Sequence, residues 1–289
     1  MFKNDRWKIS VMVVVMGVQV LGALAFLHDF RWYYAPVMLA MYLWMGFGTT
    51  FYLHRLLCHR SFETTRWIRL LFAVGSAVGL AGHPSLWVGT HRYHHLKSDT
   101  SDDPHSPIEG LAYAHLFWIF KRPPRFEQLS LRWAKDTRRH WHVRAMERPW
   151  VYLLPHVAVA AAFWAAFGFH GLLWCLYVPV LFVYNFTWAV NSVCHWPSAG
   201  YRNFDTSDRS RNVFWVGLGS LGEGFHNNHH ASPRCAAHGQ RWYEFDLTRG
   251  LIWALEKLGL VWNVVWQDEP KPQREPADSA VLPFPARQH

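Results

Sequence analysis

Five stretches of about twenty apolar residues run through this chain, each close to the length that a helix needs to cross a bilayer. The first, Ile9 to Leu27, has Gln19 as its one strongly polar residue. Lys3, Arg6 and Lys8 precede it, and Ala23-Leu24-Ala25 would pass as a cleavage site, so a signal peptide is the alternative reading. The length of the run favours a retained span. The second stretch, Tyr33 to Leu53, follows a short link and ends at His54. The third, Ile68 to Val88, is glycine-rich and broken by His83-Pro84. The last two, Val151 to Phe169 and Leu172 to Val190, are joined by the uncharged Gly168-Phe169-His170-Gly171, which suits a tight turn. Mean hydropathy is near zero although apolar residues make up 51% of the chain. The polar stretches between the runs account for the difference.

Those polar stretches are basic. Lys121, Arg122, Arg125, Arg132, Lys135, Arg138, Arg139, Arg144 and Arg148 fall between Lys121 and Pro149, opposed by Glu127, Asp136 and Glu147, and the formal charge of the chain is +9. A basic chain can bind nucleic acid. Beside membrane spans, the same charge follows the rule that places positive loops on the cytoplasmic side, and the segment reads as a solvated cytoplasmic loop. The 18 tryptophans also suit a membrane interface. Cys58, Cys175, Cys194 and Cys235 form no C-x-x-C pair, which argues against a disulfide framework or a thiolate metal site. Leu251, Ile252, Leu255 and Leu258 recur at helical spacing and predict an amphipathic helix. Residues 267–289 are rich in Pro and charge and are expected to be disordered, which leaves 1–266 as a single domain.

Histidine is the compositional outlier, with 19 residues in three clusters and a remainder. His54 and His59 form an H-x-x-x-x-H; His91, His94 and His95 form an H-x-x-H-H; His226, His229 and His230 form another. Chance would supply about 0.08 copies of H-x-x-H-H in such a chain, so two copies point to a metal site. Positions i, i+3 and i+4 share one face of a helix, which lets each triplet project together. Asn191 and His195, four apart, also share a face. His54 and His59, five apart, do not share one on a regular helix, and are expected at a helix end and just past it. Nine imidazoles are too many for one metal and suit two with four or five ligands each; Asn191 could hold a water on one of them. Asp99, Asp102 and Asp103, with His105 beside them, crowd the second cluster, and Glu223 precedes the third. Asp99, Asp103, His105 and Glu223 are candidates to take the outer N–H of the ligating histidines. His28, His115, His140, His142, His156, His170, His238 and His289 are read as surface or interfacial residues, and His83 is left open.

All clusters must reach one site, so all must lie on one side of the bilayer. If Ile68 to Val88 crossed, the second cluster would emerge opposite the first. That run must therefore be re-entrant or interfacial, buried by protein. Spans at about 9–27, 33–53, 151–169 and 172–190 then place both termini and every histidine cluster on the cytoplasmic side. The expected fold class is an all-α integral membrane protein: four transmembrane helices under a cytosolic helical cap that holds a histidine-rich di-metal site. A bacterial inner membrane suits it better than the endoplasmic reticulum. A redox metal at a membrane face suits oxidation of a lipid-like chain, because an unactivated methylene yields its hydrogen only to a strong oxidant.

The stretches from His54 through His59-Arg-Ser-Phe, from His91 to Pro107, from Asn191 to Trp196 and from Gly222 to His230 resemble the four signature elements of the membrane fatty acyl desaturase family, most closely its stearoyl-CoA and bacterial delta-9 branch. The resemblance runs from about Leu53 to Leu260. It implies insertion of a cis double bond, with O2 and two external electrons, into a saturated chain carried on CoA or lipid. It implies two iron ions: one held by His54, His59, His91, His95 and His229, the other by His94, His195, His226 and His230, with Asn191 through water. Trp87 and Thr187 match family residues at the bend of the acyl tunnel, and Lys121 and Arg122 fall near residues that contact the acyl carrier. No His-Pro-Gly-Gly of a fused cytochrome b5 domain is present, so a separate ferredoxin or b5-type donor is expected. A hydroxylase with the same boxes is the nearest rival, and a non-catalytic metal-binding membrane protein a more distant one.

Overall fold

The computed structural model describes residues 6–122 and 126–267. These residues are helical apart from two short antiparallel pairs, β1 (Arg6–Trp7) with β3 (Lys121–Arg122) and β2 (Glu63–Thr64) with β4 (Val261–Trp262). α1 (Ile9–Leu24) ends in a tight turn over Ala25–Leu27. α2 (Tyr34–Phe47) continues into a π-helical segment, Gly48–Cys58. α3 (Arg66–Val78) and α4 (Pro84–Lys97) follow, then the short α5 (Leu111–His115), α6 (Phe126–Trp133) and α7 (Trp141–Met146). α8 (Pro149–Leu172) and α9 (Val178–Ser192) are long, and α10 (Phe214–Gly219), α11 (His226–Ala231) and α12 (Leu247–Lys257) complete the chain.

Apolar composition makes the long helices, and two reversals pack them. Gly168 leaves the helical region (φ 68°, ψ −169°), and the chain turns back there. The rings of His156 and Tyr177 consequently lie 5.8 Å apart, where one straight helix would hold them about 30 Å apart. His28, in the link between α1 and α2, stacks on His170 at 4.4 Å, so both turns lie at the same end of the bundle. α1 and α2 pack along α9, and α3 along α2 and α8. Ile9–Leu27 and Pro149–His195 are long and apolar enough to cross a membrane, the latter as two helices back to back.

The stretch 68–88 is not one helix. α3 spans 13 residues, about 20 Å, well short of the roughly 30 Å hydrocarbon layer. Leu80 (φ 50°) and Gly82 (φ 100°) turn the chain, and His83, left open by the sequence, caps α4 by accepting the Leu86 N–H at 3.4 Å ahead of Pro84. α4 is thereby brought against the end of α2.

The basic segment differs from its expectation as a solvated loop. It folds into α6 and α7, which bury Phe126, Ser130, His142, Val143 and Met146. Gly89 lets α4 lie directly on the backbone of Ser130. Arg92 of α4 donates to Asp136 at 2.6 Å and to the carbonyls of Leu57 and Cys58, and Arg60 pairs with the same carboxylate. The helical spacing of Leu251, Ile252 and Leu255 is realised in α12, capped by the Asp246 side chain, which accepts the Arg249 N–H. The expected disordered tail lies outside the described residues, except for Gln267.

Three histidines expected at the surface or interface are buried: His142, His156 and His238. His156 is satisfied by the Val78 carbonyl at 2.7 Å. His115, half-buried, shares a hydrogen bond with the Ser192 hydroxyl at 2.9 Å. His28 and His140 are half-buried, His170 is exposed, and His289 lies outside the described residues. Burial first, then the charges of His140 and Arg69, lowers the His142 pKa to about 4. The unfolded imidazole binds its proton near pH 6.5. Stability is therefore full above 6.5, falls as pH drops from 6.5 to 4 and levels off below. His142→Gln is expected to remove about 2 kcal/mol of this acid loss, allowing for solvent screening. Thermal melts between pH 7 and 4 check it: equal slopes for variant and wild type would refute it.

Candidate metal centre

The π-helix decides how the first cluster works. Its hydrogen bonds run from residue i to i+5, and the His59 N–H donates to the His54 carbonyl at 3.1 Å. Two histidines five apart therefore come onto one side, with ring centroids 4.7 Å apart. The expectation that they could not share a face is corrected by this local geometry, although His59 does sit just past the helix end. α4 carries His91, His94 and His95, α11 carries His226, His229 and His230, and the turn after α9 carries His195.

These nine side chains form two groups. His54, His59, His91, His95 and His229 each bring one ring nitrogen within 4.8 Å of the others, and so do His94, His195, His226 and His230. The four-histidine group is buried throughout, whereas His59, His91 and His95 are half-exposed. Asn191 is half-buried on the last turn of α9, one turn before His195.

Carboxylates orient the rings. The Nδ1 atoms of His94, His195 and His230 lie 2.9, 3.0 and 2.7 Å from Asp103, Asp99 and Asp208, and that of His54 meets Glu223. A carboxylate at Nδ1 fixes the proton there and leaves the Nε2 lone pair facing inward. The Nε2 atoms within each group converge: His54 to His91 at 2.8 Å, His95 to His229 at 2.9 Å and His226 to His195 at 3.0 Å. Among the described residues, the buried Nε2 atoms of His59, His94 and His230 have no hydrogen-bond partner. Burial, reinforced by neighbouring imidazoles, holds His59, His91, His94, His95, His226 and His229 well below the usual histidine range. His195 goes the other way: burial opposes its charge, but Asp99 outweighs burial and pushes the imidazole up to about 9. Converging lone pairs repel one another and are matched by a cation, which would also displace the proton that Asp99 favours on His195, so the donor set fits a metal ion in each group.

Asp99, Asp103 and Glu223 each touch a clustered histidine, but only Asp103 meets the cluster beside it in sequence, at His94; Asp99 pairs instead with His195, and Glu223 with His54 of the first cluster. Asp102 touches none of them; it is half-exposed beside Lys97. His105 packs its ring 4.2 Å from that of His94, and burial pushes it down to about 3. Two residues escaped the sequence reading. Asp208 comes from an irregular loop far from any cluster, and no spacing rule links it to His230. His238 is 1% exposed, lies 4.4 Å from the His229 ring and shares Glu223 with His54; its sequence signal, one histidine eight residues after the third cluster, is weak. Trp87 stacks on His91 at 5.1 Å. Thr187 lines a separate narrow crevice with Tyr42, Gly46, Thr50 and Leu221. Lys121 is exposed, and the backbone of Arg122 pairs with Arg6.

A buried pair of polyhistidine groups against apolar helices defines a membrane-associated metal-binding protein. The fatty acid desaturase family model matches residues 6–266. Similar proteins include the sn-1 stearoyl-lipid 9-desaturase of Anabaena variabilis (35% identical over 88% of this chain and 92% of that protein) and the chloroplastic palmitoyl-monogalactosyldiacylglycerol delta-7 desaturase of Arabidopsis thaliana (35%, over 93% and 72%). The acyl-CoA C20 Delta5-desaturase of Anemone leveillei is 40% identical over 81% of this chain and 75% of that protein. The chain belongs to the fatty acid desaturase family and is an oxidoreductase acting on fatty acyl chains.

Proposed function

We propose that this enzyme inserts a cis double bond between C9 and C10 of a saturated acyl chain carried on CoA or lipid. The observation that supports it best is the pair of inward-facing polyhistidine groups in a chain of desaturase family. In this reading one iron is held by His54, His59, His91, His95 and His229. The second is held by His94, His195, His226 and His230, with Asn191 through water. Two such irons supply the power to activate O2 and cleave an unactivated C–H bond. Each turnover takes two hydrogens from the chain, and two electrons and two protons from outside, and reduces O2 to two waters. The electrons come from a separate ferredoxin or b5-type carrier. The four helices of the bundle span the membrane, 68–88 is re-entrant, and the site faces the cytoplasm.

The protein's own part is positional. Asp99, Asp103, Asp208 and Glu223 hold the Nδ1 protons, so that the opposite nitrogens keep their lone pairs inward. Trp87, stacked on His91, and Thr187, in the crevice between α2 and α9, bend the acyl chain past the site in this reading. Support for C9 comes from the motif context and from the Anabaena relative; the delta-7 and Delta5 names of other relatives define what the test must separate.

Expression in a desaturase-deficient host, with double bonds located by mass spectrometry, tests the reading. A new monoene two hydrogens lighter, unsaturated at C9, is expected. Unsaturation at another carbon would overturn the position alone, a gain of one oxygen would favour the hydroxylase, and unchanged lipids would refute the activity. Labelled acyl-CoA against pre-labelled lipid separates the two carriers.

A further inference from the structure

The two histidine groups are supported differently. In the four-histidine group each carboxylate is steadied by a backbone N–H: Asp99 accepts the Arg209 N–H at 2.7 Å, Asp103 the Asp99 N–H at 2.9 Å, and Asp208 the Ser210 N–H at 2.9 Å. The five-histidine group has Glu223 as its carboxylate, received by His54 and by His238. Glu223 in turn rests on Arg55, a guanidinium with no exposure at all. Arg55 Nε and Nη2 donate to Glu223 at 3.2 and 3.0 Å. Nη1 and Nη2 donate to Asp246, both at 2.9 Å, and Nη1 also to the Ala236 carbonyl at 2.6 Å. All five N–H groups of the side chain are thereby used. Asp246 further accepts the His238 N–H at 2.7 Å and the Arg249 N–H that caps α12.

A buried guanidinium between two carboxylates is expensive to desolvate, and removing either partner leaves charge unpaired. Its geometry has one local outcome: Glu223 stays ionised, with one oxygen turned to Arg55 and the other to His54 and His238. We infer that Arg55, braced by Asp246, is a positioning residue for the five-histidine group alone. Through Glu223 it sets the direction of the His54 lone pair, and so the metal affinity of that group, while the four-histidine group, with its own carboxylates, is independent of it. The inference rests on the two-metal reading above.

The test uses full-length protein loaded with iron and read by metal content, chelator competition and Mössbauer spectra. Asp246→Asn keeps a good helix cap for α12 and removes the charge bracing Arg55. Outer-shell changes at metal sites typically weaken binding about 10–100-fold. The variant is expected to lose resistance to chelator at one iron by about tenfold, with one of two Mössbauer components changed and the other as in wild type. Arg55→Lys, which keeps the charge but not the fork, should do the same, and Asp99→Asn should weaken the opposite component. Wild-type resistance at both irons in folded Asp246→Asn, or equal weakening of both, overturns the inference. Wild type that binds fewer than two irons would instead overturn the two-metal reading.

Discussion

His229→Ala is expected to reduce unsaturated product to the host's background and to lower the metal content of the purified protein. The Nε2 of His229 lies 3.1 Å from that of His54 and 2.9 Å from that of His95, and its ring lies 4.6 Å from that of His59. His226 and His230 bring their ring nitrogens to the other group, so His229 is the member of the third cluster whose ring nitrogen joins this one. Removing it therefore breaks the link between α11 and the first two clusters. The fold survives, because α11 is held by its asparagines. Asn228 donates to the His238 carbonyl and to Glu244, and Asn227 to the Phe204 carbonyl. Lipid analysis in the host, with metal analysis of the purified variant, checks the expectation; wild-type product levels would remove His229 from the site.

Gly89→Ala is expected to be the most damaging small substitution outside the histidines. A Cβ at this position would overlap the backbone carbonyl of Ser130, which cannot rotate away. The helices must part, at a cost of about 1–3 kcal/mol or more. The larger effect is on the site: α4 carries three of the nine histidines, one of them in the four-histidine group and two in the other. A tolerance of about 0.5 Å for such a constellation predicts that both metals are held less tightly. Gly250→Ala, in α12 with open space where its Cβ would lie, should be neutral or stabilising by up to about 1 kcal/mol. Thermal melts and metal content of the pair decide it: equal behaviour would mean that α4 does not rest on α6 as described.

The features legible in the sequence are those with a fixed period. Three i, i+3, i+4 or near-helical clusters, long apolar runs and a break at His83-Pro84 needed no tertiary information. The π-helical turn that unites His54 with His59 depends on a hydrogen-bond register that residue spacing does not reveal. Asp208 and His238 reach the histidines through irregular loops, where no period exists to find them. The helices α6 and α7 were hidden because dense charge masked the few apolar residues that pack them onto α4, and because spacing does not reveal that Asp136 pairs with Arg60 and Arg92, and Glu147 with Arg138.

His54 and His229 are neighbours in space and stand 175 residues apart in the chain. At the usual pace of synthesis, about 5–20 residues per second, the first cluster waits on the order of ten to thirty seconds for the third to be made. The strand that closes on Glu63–Thr64 comes later still, at Val261–Trp262. The two histidine groups are complete only once His229 and His230 have been made, so metal loading is a late step. Loading then depends on how much metal the cell can offer a finished apoprotein, and scarcity would leave a folded, inserted and inactive pool that later supply can rescue without new synthesis.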